Sequence, residues 1–332
     1  MAQTGYGDIS QRTAAYAAVE MLSHAEPILV LSKFGQNKPL PKNKADTVKF
    51  RRPVPFSPAT TPLTEGVTPS SQQMAYEDVT VQLNQYGAYV EITDKVQDMA
   101  EDPVLKDSSM LCGEQAGETI EMITWGILKA GTNVQYANGA ARGDVNSVIE
   151  LGDLRAAVRT LKAQRGKAVT QMLAGSPNYA TKPIEGGYIA FGHTDLEADI
   201  RGLTGFTPVA EYGSRQPLCP EEVGSVENVR IILSPLLEPF ADAGGLAATN
   251  STVSTTGTDS DVYPLVVIAK EAYGLVPLKG QNAIKPMVLN PGTPRGGDPL
   301  GQRGTVGWKT FFQASRLNET WMVRIECAVT AL

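Results

Sequence analysis

The sequence predicts an α+β protein, in which strands and helices are interspersed rather than strictly alternating. Three observations support this prediction. Two segments, beginning at Val48 and at Val79, alternate apolar and polar residues with the period of two that is typical of half-buried strands. A long helical pattern follows them. Short, continuous apolar runs later in the chain, Val229 to Leu233 and Leu265 to Ala269, predict buried strands.

The two alternating segments predict a β-hairpin with an unusually long tip. Each arm has apolar residues on one face, namely Val48, Phe50, Val54 and Phe56 in the first arm and Val79, Val81 and Leu83 in the second. Residues 58–71, with three prolines, make a connection far longer than an ordinary hairpin turn. Because an isolated two-stranded arm is only marginally stable in water, we expect this arm to lie on a neighbouring copy of the chain.

A long helix is predicted to follow the hairpin. Asp102 and Pro103 supply a cap and a first-turn proline, and Gly131 is a typical stop. One face of this helix is apolar, with Ala116, Ile120, Ile123, Ile127 and Ala130. At 1.5 Å per residue the helix would be about 42 Å long. Three glycines weaken it and predict close packing against another element: Gly113, Gly117 and Gly126.

The remaining chain predicts shorter elements. A helix is expected within residues 10–24, and another with Leu154, Val158 and Leu161 on its buried side, ending at Gly166. A short strand from Tyr188 to Phe191 precedes a capping box at residues 194–197, and residues 244–260 have the composition of a flexible loop. The closing strand alternates, which predicts Trp321, Val323, Ile325, Cys327 and Val329 inward and Met322, Arg324 and Glu326 outward.

These elements predict five segments. Residues 1–45 form an N-terminal arm, 46–93 the extended hairpin, and 94–150 a peripheral domain with the long helix. Residues 151–300 form an axial domain, and 301–332 are strands that return to the peripheral domain.

The net charge of −6 conceals two oppositely charged regions. Residues 33–52 carry seven basic residues and one acid, whereas residues 91–121 carry nine acids and two bases. Both regions could simply be solvated faces. Alternatively, the basic arm lies across the acidic helix of an adjacent subunit, where complementary charge fixes the register. A third interpretation, that the arm contacts nucleic acid, is weaker because few aromatic residues accompany the basic ones.

The second interpretation defines a candidate subunit interface. Its members are basic residues of the arm, residues of the hairpin tip and acids of the helix: Lys42, Lys44, Lys49, Arg51 and Arg52; Thr61, Pro62, Leu63 and Glu65; Glu114, Glu118 and Glu121.

The sequence offers little for catalysis. His24 and His193 are its two histidines, and both are expected at helix ends rather than beside a nucleophile. No phosphate loop, dinucleotide fingerprint, nucleophile elbow or zinc motif is present, so neither cofactor nor metal is predicted. Cys112, Cys219 and Cys327 are too far apart for a metal motif and predict buried, reduced thiols of a cytosolic folding compartment. No membrane span or secretory signal is expected.

Three stretches carry a resemblance to a known family. They are Ala59-Thr60-Thr61-Pro62-Leu63-Thr64-Glu65-Gly66-Val67-Thr68-Pro69, then Gln85-Tyr86-Gly87-Ala88-Tyr89-Val90-Glu91-Ile92-Thr93-Asp94, and Glu101-Asp102-Pro103-Val104-Leu105. The chain resembles the major capsid proteins of N-four-type tailed phages, most densely over residues 50–138. The resemblance implies an HK-ninety-seven-type fold with an N-terminal arm, an extended hairpin (the E-loop), a spine helix and an α/β axial domain.

The resemblance also implies a function and partners. The chain would be the major subunit of an icosahedral shell around double-stranded DNA in the virion, assembled from hexamers and pentamers in the bacterial cytoplasm. A separate scaffolding protein, a portal protein and a cement protein would be its partners. Some relatives cross-link through a lysine of the hairpin, but no lysine lies between Val54 and Asp94, so no covalent cross-link is expected. The scarcity of histidine and the absence of catalytic motifs predict that the chain is not an enzyme. Two alternatives remain open, the shell of an encapsulin-like nanocompartment and a hydrolase or carbohydrate-active enzyme.

Overall fold

Two β-sheets, a two-stranded hairpin and one long helix make up the described part of the chain. The structure, a computed structural model, describes residues 29–41, 43, 45–99, 104–173, 181–213, 215–278, 285–292, 294 and 296–332. Its α-helices, in chain order, are α1 (Asp94–Met99), α2 (Val104–Lys129), α3 (Leu151–Ala163) and α4 (Glu197–Arg201). Its strands are β1 (Gln36–Asn37), β2 (Thr47–Pro53), β3 (Tyr76–Gln82), β4 (Asn84–Thr93), β5 (Val134–Tyr136), β6 (Val169–Leu173), β7 (Thr181–Gly192), β8 (Phe206–Pro208), β9 (Glu222–Val226), β10 (Val229–Leu233), β11 (Tyr263–Ile268), β12 (Tyr273–Pro277), β13 (Lys285–Leu289), β14 (Arg303–Arg316) and β15 (Met322–Cys327).

The five-stranded sheet is built around the long strand β14. Strand β4 pairs antiparallel with β14 from Arg303 opposite Thr93 to Phe312 opposite Asn84. The remaining strands follow the order β1-β12-β14-β13. Strands that are more than 200 residues apart in sequence are therefore neighbours in this sheet.

The eight-stranded sheet has the order β5-β15-β11-β7-β10-β9-β8, with β6 attached to β7. One face packs on α2 and the five-stranded sheet in a core that includes Trp125, Leu128 and Phe191. The opposite face packs on α3 through Leu154 and Leu161. Because both faces are covered, the central strands β10 and β11 are buried along their whole length.

The spine helix is confirmed, and its buried face differs in part from the predicted one. Ala116 and Ile120 are buried as expected, whereas Ile123 and Ile127 are half-buried at the edge of the core. Gly113 and Gly117 lie on the buried face. Gly126 does not, because a Cβ atom placed there would have no atom within 4 Å, so close packing is wrong at this glycine. The predicted cap at residues 102 and 103 lies outside the described residues.

The predicted hairpin is present, and β2 and β3 pair from Thr47 opposite Gln82 to Pro53 opposite Tyr76. Val48, Phe50 and Val81 form a small core with Leu40 and Val276. The prediction that Val54 and Phe56 continue this apolar face is wrong, because the strand ends at Pro53 and both side chains are exposed. Beyond this point the arm leaves the body of the subunit.

The closing strand differs most from its prediction. All six residues of β15 are buried, including Arg324 and Glu326, which were predicted to face outward. The outward face is covered because Arg142 binds Glu326 and the guanidinium of Arg324 donates to the carbonyl of Lys129 at the end of α2. Buried charges of this kind require partners, which the alternating pattern alone does not reveal.

Three shorter predictions have different outcomes. The helix within residues 10–24 lies outside the described residues. Strand β7 is much longer than the predicted four residues. Residues 244–260, predicted to be a flexible loop, contain hydrogen bonds between their own backbone groups, from Ala247 to Thr258 and from Ser260 to Gly245.

Sheet membership does not follow the predicted segments. Strands β12 and β13, from the segment 151–300, pair within the five-stranded sheet, whereas β15, from the segment 301–332, lies in the eight-stranded sheet. Strand β5, from the segment 94–150, is also at the edge of the eight-stranded sheet. The division into domains stays a prediction. The strand pairing indicates that the chain passes from the eight-stranded to the five-stranded sheet after β11 and returns between β14 and β15.

Candidate subunit interface

The charged residues of the hairpin pair with one another. Arg51 donates two hydrogen bonds to Asp78 on the opposite strand, at 2.7 and 2.8 Å, and Arg52 donates one hydrogen bond to Glu77 on that strand. The hydrogen bonds with Asp78 raise the pKa of Arg51, and those with Arg51 lower the pKa of Asp78. These ion pairs follow directly from the strand register, which places 51 opposite 78 and 52 opposite 77.

The hairpin taken as a whole is therefore close to neutral, whereas the region predicted to be basic is residues 33–52. Residues 46–83 contain three basic residues and four acids, once the second strand is included. Lys49 is exposed, and Lys42 and Lys44 lie outside the described residues. The cations of Arg51 and Arg52 are already engaged within the hairpin, so the hairpin itself has little net charge to offer to an acidic neighbour.

The acidic stripe of the spine helix is also reduced. Glu118 is exposed and Glu114 is half-buried, whereas Glu121 is buried. One carboxylate oxygen of Glu121 accepts hydrogen bonds from the backbone N–H groups of Val30 and Leu31. Burial raises the pKa of Glu121 to about 7, against the opposite influence of these two hydrogen bonds. The prediction that Glu121 contacts a neighbouring arm is wrong, because residues of the same chain cover its side chain.

The outer part of the hairpin is uncovered, and exposed apolar side chains are interspersed along its polar tip. Residues 53–78 are exposed without exception, and they include the tip residues Thr61, Pro62, Leu63 and Glu65. Large apolar side chains in this stretch have more than half of their surface exposed: Phe56, Leu63, Val67, Met74 and Tyr76. Backbone turns at Gly66, which has φ of 75°, and at residues 64–67 give the tip local shape. A single subunit provides no cover for these side chains.

The spine helix presents a matching stripe that the sequence reasoning missed. Leu111, Gln115, Glu118 and Met122 are exposed at helical spacing along α2, and Leu111 and Met122 have 64% and 46% of their surface exposed. The sequence did contain a signal for this stripe. Leu111 lies seven positions before Glu118 and Met122 four positions after it, which places all three on the same face of a helix. This exposed α2 stripe is apolar at both ends and polar in the middle.

One histidine, His193, lies within the described part of the chain, where it caps a short helix. His193 caps the 3-10 helix Thr194–Leu196, because its Nδ1 accepts a hydrogen bond from the backbone of Asp195, so the cap lies one residue before the predicted box. His24 lies outside the described residues. Cys112, Cys219 and Cys327 are buried, and burial raises the pKa of each thiol. Among the described residues no cluster could hold a metal ion, and no helix there is long and apolar enough to cross a membrane.

Solved structures of similar fold are shells of bacteriophages. The capsid of Ralstonia phage GP4 aligns with a TM-score of 0.68 at 12% identity, covering 91% of each chain. The asymmetric unit of the cyanophage Pam1 capsid gives 0.59 at 14% identity, covering 94% of this chain and 93% of the other. The cyanophage P-SCSP1u capsid gives 0.58 at 13% identity, covering 91% and 89%. The chain thus has the HK-ninety-seven-type fold of phage coat proteins, as its sequence predicted.

The family follows from the sequence itself. Residues 76–314 match the model of the phage capsid protein family, and the chain belongs to that family. No curated protein matches the chain. Its function is that of a major capsid protein, which assembles into an oligomeric shell, and its place is the capsid of the virion. The narrower resemblance to N-four-type phages remains an expectation.

Proposed function

We propose that the chain forms the icosahedral head around the double-stranded DNA of a tailed phage, and that its hairpin tip lies on the exposed α2 stripe of the next subunit. The observation that carries this proposal is the exposure of large apolar side chains on the outer hairpin, since Phe56, Leu63 and Val67 are uncovered on an arm that extends from the subunit. Large exposed apolar patches mark interaction sites. Leu111 and Met122 on α2 offer apolar surface of the same kind.

The proposed contact is heterologous, since the tip of one subunit meets the helix of another. Contacts of this type close into rings when the rotation between subunits permits it, and here they would form hexamers and pentamers. Thr61, Pro62, Leu63 and Glu65 would become ordered on docking, with Glu118, Glu114 and Lys49 at the polar margin of the contact. Because Arg51 and Arg52 are paired within the hairpin, apolar burial rather than charge would supply most of the affinity.

The remaining partners follow from the proposed role rather than from any described surface. They are a separate scaffolding protein, a portal protein and a cement protein, with assembly in the host cytoplasm. We further propose that the subunit forms no covalent cross-link, because residues 55–93 contain no lysine, and that it acts as a structural protein rather than an enzyme, which its capsid family supports. Denaturing gels of mature particles should then show a single subunit band, and a ladder of multimers would contradict this part of the proposal.

A leucine substitution in the tip tests the proposed contact. Leu63→Asp should leave the folded subunit intact, because its side chain is 76% exposed, and should abolish closed shells in electron micrographs. Leu300→Asp is the matched control, since Leu300 is 77% exposed but lies outside the hairpin and should permit assembly. Normal shells from Leu63→Asp, or equal loss from both variants, would contradict a role for the tip.

A further inference from the structure

The carboxyl group of Glu121 fastens the start of the described chain to the spine helix. We call residues 29–34 the anchor segment. Glu121 Oε1 accepts the N–H groups of Val30 and Leu31, the latter at 2.8 Å, and the Tyr273 hydroxyl donates to the carbonyl of Leu31. Val30 and Leu31 are fully buried in the core. The segment is thus held by one acid from α2 and one phenol from β12.

The other oxygen of Glu121 has an unusual environment. Glu121 Oε2 is buried and has no hydrogen-bond partner among the described residues, and the same is true of Oε2 of Glu221. Glu221 is close enough for its charge to raise the pKa of Glu121. A buried, ionised carboxylate with an oxygen that lacks a donor is costly, and a proton on the Glu121 carboxyl group removes that charge.

We propose that Glu121 carries a proton while the anchor segment is docked, so that docking takes up a proton from solvent. The other titratable groups facing Glu121 do not substitute for this proton. Lys33, within the anchor segment, favours the ionised form of Glu121, but burial outweighs it. The Tyr273 phenol, and the Cys219 thiol beside Glu221, have pKa values raised chiefly by burial, so both groups stay neutral near pH 7.

The coupling has a defined sign and range. Released from the segment, Glu121 would titrate near its ordinary pKa of 4.5, whereas it titrates near about 7 when docked. Docking is therefore strongest below pH 4.5, weakens by about tenfold per pH unit as the pH rises toward 7, and is constant above that pH. This proton-coupled anchor goes beyond the role in shell formation and does not depend on it.

Hydrogen exchange of the Val30 and Leu31 amides, on dissociated full-length subunits between pH 4.5 and 8.5, tests this inference. After correction for intrinsic exchange, wild-type protection should fall by about two orders of magnitude between pH 5 and 7 and then level off. Glu121→Gln keeps an accepting oxygen and adds a donor, so protection should remain high at every pH. Glu118→Gln, an exposed acid on the same helix, should retain the wild-type profile, and the amide of Val266 in β11 serves as the internal reference.

Two further variants remove the ambiguity of a folding defect. Glu121→Ala should lower protection at every pH, because the acceptor is lost. Glu221→Gln should make the fall smaller and complete it at lower pH, because Glu121 then ionises more easily beside a neutral amide. A wild-type profile without pH dependence, or Glu121→Gln with the wild-type fall, would overturn the inference.

Discussion

Glu326 lies fully buried between the guanidinium groups of Arg142 and Arg324, at 2.7 and 2.8 Å. Arg142 also stacks on Phe240, with its guanidinium carbon 3.6 Å from the ring centre. The cluster around Glu326 joins the end of α2, the strand β15 and the loop before β11. A single carboxylate therefore links elements that are distant in sequence.

Removing the Glu326 charge should strongly destabilise the subunit. Glu326→Ala leaves two guanidinium groups largely buried without their counter-ion, which costs about 3–5 kcal/mol. Glu227→Gln is the control, because the Arg155–Glu227 pair is exposed and such pairs contribute below about 1 kcal/mol. Urea unfolding of dissociated subunits measures both changes. Equal effects would show that the buried cluster contributes no more than a surface pair.

At the scale of secondary structure, two glycines should respond oppositely to the same substitution. Gly126→Ala in α2 should stabilise the dissociated subunit by up to about 1 kcal/mol, because alanine favours helix and nothing lies within 4 Å of the new Cβ. Gly87→Ala in β4 should destabilise it, because the added Cβ would lie 2.6 Å from the backbone oxygen of Trp308. Thermal unfolding of the two variants checks the signs, and a destabilised Gly126→Ala would contradict the open surface at that position.

The spine helix and both arms of the hairpin could be predicted because their patterns are local. A period of 3.6 or of two appears within a few turns or pairs of residues. The charge distribution could not be predicted in the same way. The partner of Arg51 is Asp78 on the other side of the long tip, and the cover of Glu121 comes from residues 30 and 31, some ninety positions earlier. Both depend on tertiary pairing, which a local count of charges does not contain.

At the scale of the whole molecule, the near-neutral charge of the hairpin, residues 46–83, predicts how assembly responds to salt. If the tip docks by apolar burial, raising the salt concentration from 0.05 to about 0.5 M should leave the yield of shells unchanged or increase it, because screening removes little attraction. A basic arm on an acidic helix would instead lose affinity as salt rises. Light scattering during assembly distinguishes the two, and a steep loss with salt would restore the electrostatic interpretation.

The pairing of β4 with β14 has a consequence for the timing of synthesis. A nascent chain that has reached residue 300 already contains the hairpin and the spine helix, yet neither sheet can close until β14 and β15 emerge. Non-local pairing of this kind delays folding. A truncated chain, from premature termination or proteolysis, therefore lacks the support beneath β4 and α2. Defective chains would be excluded from the growing lattice, because the exposed α2 stripe, which we propose receives the tip of a neighbouring subunit, gains its support last.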